Sequence, residues 1–517
     1  MKLNLKDYRD KVLGCWMGKN IGGTLGAPME WRRQVNAVSF YTQDLKGDPL
    51  PNDDLDIQLL WLVALEEKGI DLDARLLAEY WCLYVTPHWS EYGTAKINLR
   101  SGLPPPLSGT SENLFKDSCG AFIRSEIWAC VCPGNPQQAA RYAYEDAILD
   151  HGNGEGTYAE VFCAALEAAA FVENDLRKLI DIGLSFIPPD CGVAKAVRCA
   201  RQCQGEGKTW QEARDEVLRL YRGSTFFHIP ACISDEDRKK GFDQGQLGWD
   251  VPSNLGMLVI GLLYGEGDFA QSVCIAVNCG EDTDCTGATV GSIFGILHGI
   301  TAIPEKWITP IGRKIKTACL NLGELGYFGN QLPQDVDDMT RRTERIARQV
   351  TLRYSPQIEL VEDGATDLTG FDPARLFATS EPRYLDELYF CLNGPVYTFD
   401  FFRVAVDYGP DGAAVRNGEA KTVKLKVWNR YKVQTELHVK WYAAGGWEIG
   451  PQATGRTLNL GFHLGRGINE LTFTLKAAAV PAAVNRLVVE LTSPGRPLVM
   501  LVPVVLRDGN LADTPPA

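Results

Sequence analysis

Two dense acidic clusters, Asn52-Asp53-Asp54-Leu55-Asp56 and Glu281-Asp282-Thr283-Asp284, each stand directly before a strongly apolar run with helical periodicity. An apolar helix belongs in the interior, so its first turn starts near the core, where an unpaired carboxylate costs several kcal/mol. Helix capping accounts for part of this pattern, because Asn and Asp are favoured at N-caps and in first turns, worth about 1 kcal/mol each. Asp53, Asp54 and Asp56 together exceed what one cap needs. Carboxylates this dense repel one another if the folded chain brings them together, and a divalent cation is the usual way to hold them. Oxygen donors imply a hard ion, Mg²⁺ first, with Mn²⁺ or Ca²⁺ as alternatives. Cys285 is a poor ligand for such an ion.

Helical patterns recur to about residue 350, at 7–17, 54–68, 73–85, 136–149, 158–172, 178–186, 193–204, 210–221, 254–264, 269–279 and 286–298. Gly, Pro, Asn and Asp separate them. The first of these is expected to end near Gly18, leaving Gly22 to Trp31 as a permissive glycine-rich run that ends beside Glu30. Gly287, Gly291, Gly295 and Gly299 lie on one helical stripe. Four glycines in a helix need a packing reason, and close approach of another helix supplies it. After about residue 355 the chain turns to short runs rich in Val, Leu, Phe and Tyr between Gly/Pro/Asp turns, which suggests six or seven strands. The expected organisation is multidomain: an all-α domain over 1–355, a linker over 356–394, an all-β sandwich over 395–508 and a disordered tail over 509–517.

The net charge of -13 argues against an electrostatic grip on nucleic acid or an anionic membrane. It leaves room for an anionic small molecule received by a metal, a helix N-terminus or a few arginines. The fifteen cysteines are odd in number and include no C-x-x-C pair, which fits reduced core residues of a cytoplasmic protein. The start of the chain lacks a signal-peptide core, and no stretch is long and charge-free enough to span a membrane.

In this order, Gly18 to Glu30, Asn52-Asp53-Asp54-Leu55 and Gly280-Glu281-Asp282-Thr283-Asp284-Cys285 resemble the motifs of the ADP-ribosylglycohydrolase family. These are a glycine-rich start ending in glutamate, a T-D-D-T motif and a late G-G-D-T-D-T motif. The resemblance covers residues 5 to 345 and implies an all-α fold with a binuclear Mg²⁺ or Mn²⁺ centre in a cleft. It makes Asn52, Asp53, Asp54, Asp282, Asp284 and Cys285 the counterparts of the metal ligands. Asn52 and Cys285 stand where the family has threonine. Either one ion is weakly held or absent, or Thr283 or Thr286 compensates. Glu30 matches a glutamate near the metal pair, and Asp117 an aspartate near the scissile bond. Both are expected to be catalytic, with helix capping as the ordinary alternative for Asp117. His151 and Asn153, in the glycine-rich loop Asp150 to Gly156, and Trp249 and Asn254 are expected to face substrate, with His151 exposed.

These residues together imply metal-assisted hydrolysis of a ribosyl N- or O-glycosidic bond in a small-molecule substrate, free or attached to a modified protein. The added β domain keeps two alternatives open: a glycosidase or nucleosidase on another furanoside, and a non-catalytic protein that binds ADP-ribose or sugar.

Overall fold

The computed structural model describes residues 1–30, 32–222, 233–242, 250–320, 326–430, 434–460 and 467–511. They form two compact units, Met1–Gly93 with Leu114–Leu388, and Thr94–Asn113 with the chain from Tyr389 onward.

The first unit is helical. Every helix expected from periodicity falls on an observed one. The elements that matter for the site are α1 (Leu5–Gly26), α2 (Asp53–Lys68), α3 (Glu155–Ala169), α4 (Val251–Tyr264) and α5 (Thr283–His298). α1 is longer than its apolar pattern suggests. It continues through Gly18, Gly22 and Gly23 to Gly26 instead of ending near Gly18. The reason lies in tertiary packing. Gly14, Gly18, Gly22 and Gly26 form a stripe that meets Gly295, Gly291, Gly287 and Thr283 of α5, so the two helices run antiparallel. A Cβ at Gly18 would stand 2.0 Å from the Gly291 carbonyl oxygen, and one at Gly22 would stand 2.1 Å from that of Gly287. Each glycine costs a helix about 1 kcal/mol relative to alanine. Packing one backbone against another offsets that cost. The antiparallel pairing also sets the end of α1, and hence Glu30, beside the start of α5, where Asp282 and Asp284 lie.

Strand β1 (Lys2–Asn4) pairs in parallel with β2 (Glu359–Val361), and the stretch that follows carries short helices whose Leu376 and Tyr384 are buried. All cysteines among the described residues are free, and all but Cys82 are buried. No helix among these residues is long and apolar enough to cross a membrane.

The second unit is a β-sandwich. One sheet contains β3 (Val396–Thr398), β4 (Phe402–Asp407), β6 (Ala420–Asn429), β8 (Trp447–Gly450) and β10 (Ile468–Ala477). The other contains β5 (Ala414–Val415), β7 (Thr435–Tyr442), β9 (Arg456–Leu460), β11 (Val484–Thr492) and β12 (Val499–Asp508). Alternate residues such as Leu437, Val439 and Trp441 on β7 and Leu471, Phe473 and Leu475 on β10 fill one core. That period-two burial is what a sheet with one wet face requires. Leu103 and Leu107, from the segment Thr94–Asn113, complete the same core.

Candidate metal centre

α2 and α5 present the two acidic clusters to one cleft of about 510 Å³. Asn52 caps α2, and its Oδ1 accepts the Asp54 backbone N–H at 2.7 Å. Gly23 of α1 makes room for that cap, since a Cβ there would stand 1.9 Å from Asn52 Nδ2. Asp282 stands at the N-cap position of α5, and its own N–H donates to Asn254 Oδ1 at 3.1 Å. Asp53, Asp282, Asp284, Glu30, Asn52 and Cys285 all line the cleft. Carboxylate oxygens of Glu30, Asp282 and Asp284 lie within 4.8 Å of one another, and so do donor atoms of Asp54, Asp284 and Cys285. Asp284 belongs to both sets. A wider groove of about 790 Å³, lined in part by Lys6, Arg9, Asp10 and Arg345, has no carboxylate oxygen that is both buried and unbonded.

The electrostatics of the cluster fit a cation. Asp54 is buried, neither of its oxygens accepts a hydrogen bond, and Asp282 Oδ1 is likewise buried without a donor. Lys19 Nζ stands 3.6 Å from Asp54 Oδ1, but its shorter contacts are Glu126 Oε1 at 2.8 Å and Thr289 Oγ1 at 3.1 Å. Burial, then the Asp284 charge, pushes the Asp53 carboxyl up to about 6, although Tyr92 donates to its Oδ2 at 3.1 Å. Burial and then Asp284 and Glu30 hold Asp282 well above the ordinary carboxylate range. Lys19, held chiefly by Glu126, offsets only part of this negative charge, and a divalent ion would offset more of it.

Neighbouring charges fix the loops around the cluster. Asp56 Oδ2 accepts the backbone N–H groups of Ala318 and Cys319, each at 2.6 Å, and so anchors the segment that brings Ala318 to the cleft. Glu281 adopts φ +68, a left-handed conformation that ordinarily favours glycine. Its carboxylate pairs with Arg222 and, at 3.4 Å, with Arg33 Nη2. Burial opposes its charge, but Arg222 and Arg33 outweigh burial and hold the carboxyl below its usual range.

Asp117, His151, Asn153 and Asn254 are not among the residues that line this cleft. His151 is fully buried, not exposed. Its Nδ1 lies 2.8 Å from Asp150 Oδ1, and its Nε2 lies 3.2 Å from the Ser118 hydroxyl. The polar, glycine-rich neighbourhood that suggests exposure is instead a tight turn. A Cβ at Gly156 would stand 2.0 Å from the imidazole Cδ2, and Arg124 pairs with Asp150 at 2.6 Å behind it. Asn254, at the start of α4, is buried; its Oδ1 accepts from Asp282, and its Nδ2 donates to the Asp250 carbonyl at 3.0 Å. It therefore helps to orient the acidic loop. Asn153 accepts from Lys116 Nζ at 3.2 Å. Asp117 Oδ1 accepts the Glu155 N–H at 2.8 Å, at the first residue of α3, as a capping aspartate does. Trp249 lies outside the described residues, as does the tail from 512 onward.

Sequence reasoning passed over Trp89, Glu91, Tyr92 and Ser118, all of which line the cleft. Glu91 accepts a hydrogen bond from Ser118, and burial pushes its carboxyl up to about 7, with the nearby His151 working against the rise. A cluster of Trp, Glu and Tyr beside a helix start is the one signal that marks this stretch, and it carries no period or motif.

The ADP-ribosylglycohydrolase family model matches residues 4–344. The chain belongs to the ADP-ribosylglycohydrolase family. The match spans most of the helical unit and includes Glu30 and both acidic clusters. This ADP-ribosylglycohydrolase-family chain is also 24% identical over 314 residues to an uncharacterized protein of Archaeoglobus fulgidus, covering 58% of this chain and 90% of that protein. Among solved structures, a FixG-related protein from Vibrio parahaemolyticus is 14% identical with a TM-score of 0.16, over 21% of this chain and 94% of that one. That likeness is too slight to carry an argument. Membership makes the family member a glycohydrolase-type hydrolase with a small-molecule or modified-protein substrate.

Proposed function

We propose that this chain is a metal-dependent hydrolase that cleaves an N- or O-glycosidic bond between a ribose of the ADP-ribosyl type and its acceptor. The observation that carries this reading is the convergence of Glu30, Asp53, Asp282 and Asp284 on one cleft, with Asp54 beside Asp284 and Cys285 and with buried, unbonded oxygens on Asp54 and Asp282. Asn52, at the head of α2, and Cys285, in the first turn of α5, complete the proposed donor set. A divalent cation held by these residues, Mg²⁺ first for the carboxylates, would bind the ribose hydroxyls and help position the attacking water.

Glu30 is the general base that accepts a proton from the attacking water. Glu91, whose buried carboxyl titrates near 7, suits proton donation to the leaving atom. Asp117 acts through its bond to Glu155, positioning the segment that carries Ser118. The N-termini of α2 and α5 add positive potential, which lets an acidic chain accept a diphosphate. The free, buried cysteines support a reducing, cytoplasmic setting.

The test is release of ADP-ribose from ADP-ribosylated arginine and serine, with aryl furanosides and nucleosides as competing substrates. Turnover that a chelator abolishes and Mg²⁺ restores supports the reading. Full activity after exhaustive chelation overturns metal dependence. Turnover of furanosides alone overturns the ADP-ribosyl substrate. Calorimetric binding of ADP-ribose without product makes the chain a binding protein.

A further inference from the structure

The two donor sets that share Asp284 differ in chemistry. Glu30, Asp282 and Asp284 offer oxygen alone, whereas Asp54, Asp284 and Cys285 include a sulfur. Hard ions such as Mg²⁺ take oxygen, while a thiolate among carboxylates selects a softer ion, with Zn²⁺ foremost. Neither neighbouring threonine is among the residues that line the cleft. Thr283 Oγ1 donates to the Gly26 carbonyl at 2.9 Å, and Thr286 Oγ1 donates to the Asp282 carbonyl at 2.9 Å. Both are fully buried, while Cys285 lines the cleft. Asp54 gives the independent sign of a ligand. Its side chain is 1% exposed, and its Oδ2 has no partner.

We propose that the cleft holds two unlike cations bridged by Asp284: a hard ion against Glu30 and Asp282, and a thiolate-bound ion of the zinc class at Asp54 and Cys285. Three protein donors leave a position open for water or a substrate oxygen, the pattern of catalytic rather than structural zinc. As the sulfur–metal bond forms, the Cys285 thiol gives its proton to solvent, so one proton leaves for each such ion bound. This inference rests on the proposed function only in taking cations as the cleft's cofactor.

Cobalt(II) tests it without turnover. Added to the metal-free full-length protein, Co²⁺ should give a thiolate-to-cobalt charge-transfer band in the near ultraviolet. Zn²⁺ should remove the band, and excess Mg²⁺ should leave it. Cys285→Ser should abolish it and weaken Zn²⁺ by at least the ~100-fold that loss of an outer-shell partner can cost. Cys119→Ser, which alters the other thiol lining the cleft, should keep the band. Circular dichroism and the thermal midpoint confirm that both variants fold. If Cys285→Ser misfolds, selective alkylation of Cys285 in the wild type, blocked by Zn²⁺ and not by Mg²⁺, reads the same ligation. Cobalt bound without the band, or a band that survives loss of the Cys285 thiol, overturns the thiolate site and leaves the hydrolase reading standing. Binding of no divalent ion at all overturns both.

Discussion

Gly18 and Gly291 touch backbone to backbone: a Cβ on Gly18 would stand 2.0 Å from the Gly291 carbonyl oxygen, and one on Gly291 would stand 2.2 Å from that of Gly18. No rotamer relieves either clash, because the obstructing atoms are main chain. Gly18→Ala and Gly291→Ala should each force α1 and α5 apart and cost about 1–3 kcal/mol in overpacking. Because Glu30 follows α1 and Asp282 precedes α5, each change should also weaken metal binding. Calorimetric unfolding with and without Mg²⁺ measures both effects. A variant with wild-type stability and metal affinity would show that this contact does not hold the site together.

Removing a carboxylate should act in opposite directions on the metal-free and metal-bound protein. The Asp284 charge is the second cause, after burial, of the raised Asp53 carboxyl. Asp284→Asn should therefore stabilise the metal-free protein by on the order of 1 kcal/mol while abolishing turnover and any rise in thermal midpoint on adding a divalent ion. Asp53→Ala should abolish turnover and metal binding together. The check is thermal unfolding of each variant with and without a divalent ion. An Asp284→Asn protein that is still stabilised by the ion would remove Asp284 from the donor set.

Arg124 joins three buried carboxylates. Its Nε donates to Asp146 at 2.9 Å, its Nη2 donates to Asp150 at 2.6 Å, and Glu160 lies 3.9 Å away. Burial works against the Asp150 charge, but Arg124 and His151 outweigh it and hold the carboxyl at about 2. A carboxyl depressed in the folded state stabilises the protein above its unfolded value of about 3.9, and that contribution is lost as pH falls toward 2. Arg124→Leu should cost about 3–5 kcal/mol at neutral pH, because it strands buried charges. Urea titrations of the two proteins across pH 2 to 4 should also show a shallower acid loss in the variant; equal slopes would remove Arg124 as the cause.

Both acidic clusters are visible as carboxylates ahead of apolar runs, because a helix start needs acceptors and a buried one needs more than acceptors. The stripe Gly287, Gly291 and Gly295 was equally legible as a surface for close approach. Its partner was not. Beyond Gly18 the glycines read on intrinsic propensity as the end of a helix, and packing against α5 carries the helix on to Gly26. His151 misleads for the same reason. Glycine and polar neighbours signal exposure only when no buried charge, here Arg124 through Asp150, waits in the fold. Trp89, Glu91 and Tyr92 are brought to the cleft by tertiary structure, and the sequence marks them by no period or motif, only by their clustering.

Glu91 gives the sharpest test, because stability and rate should move apart. Its carboxyl is raised in the folded state to about 7, with burial as the leading cause. A raised carboxyl means that the native state binds more protons than the unfolded chain between its ordinary value, about 4.3, and 7, so stability should fall as pH rises through that window. Glu91→Gln removes the titration and should gain at most about 4 kcal/mol above pH 7 relative to wild type. The same change removes the proposed proton donor, so kcat should fall by roughly 10²–10⁴ with little change in KM. Denaturant titrations at pH 4.5 and 8, paired with steady-state rates, read both effects. A variant that is slower but no more stable at high pH would mean that Glu91 is already ionised in the folded protein and serves as a base or substrate contact, whereas one that is more stable and equally fast would take it out of the chemistry.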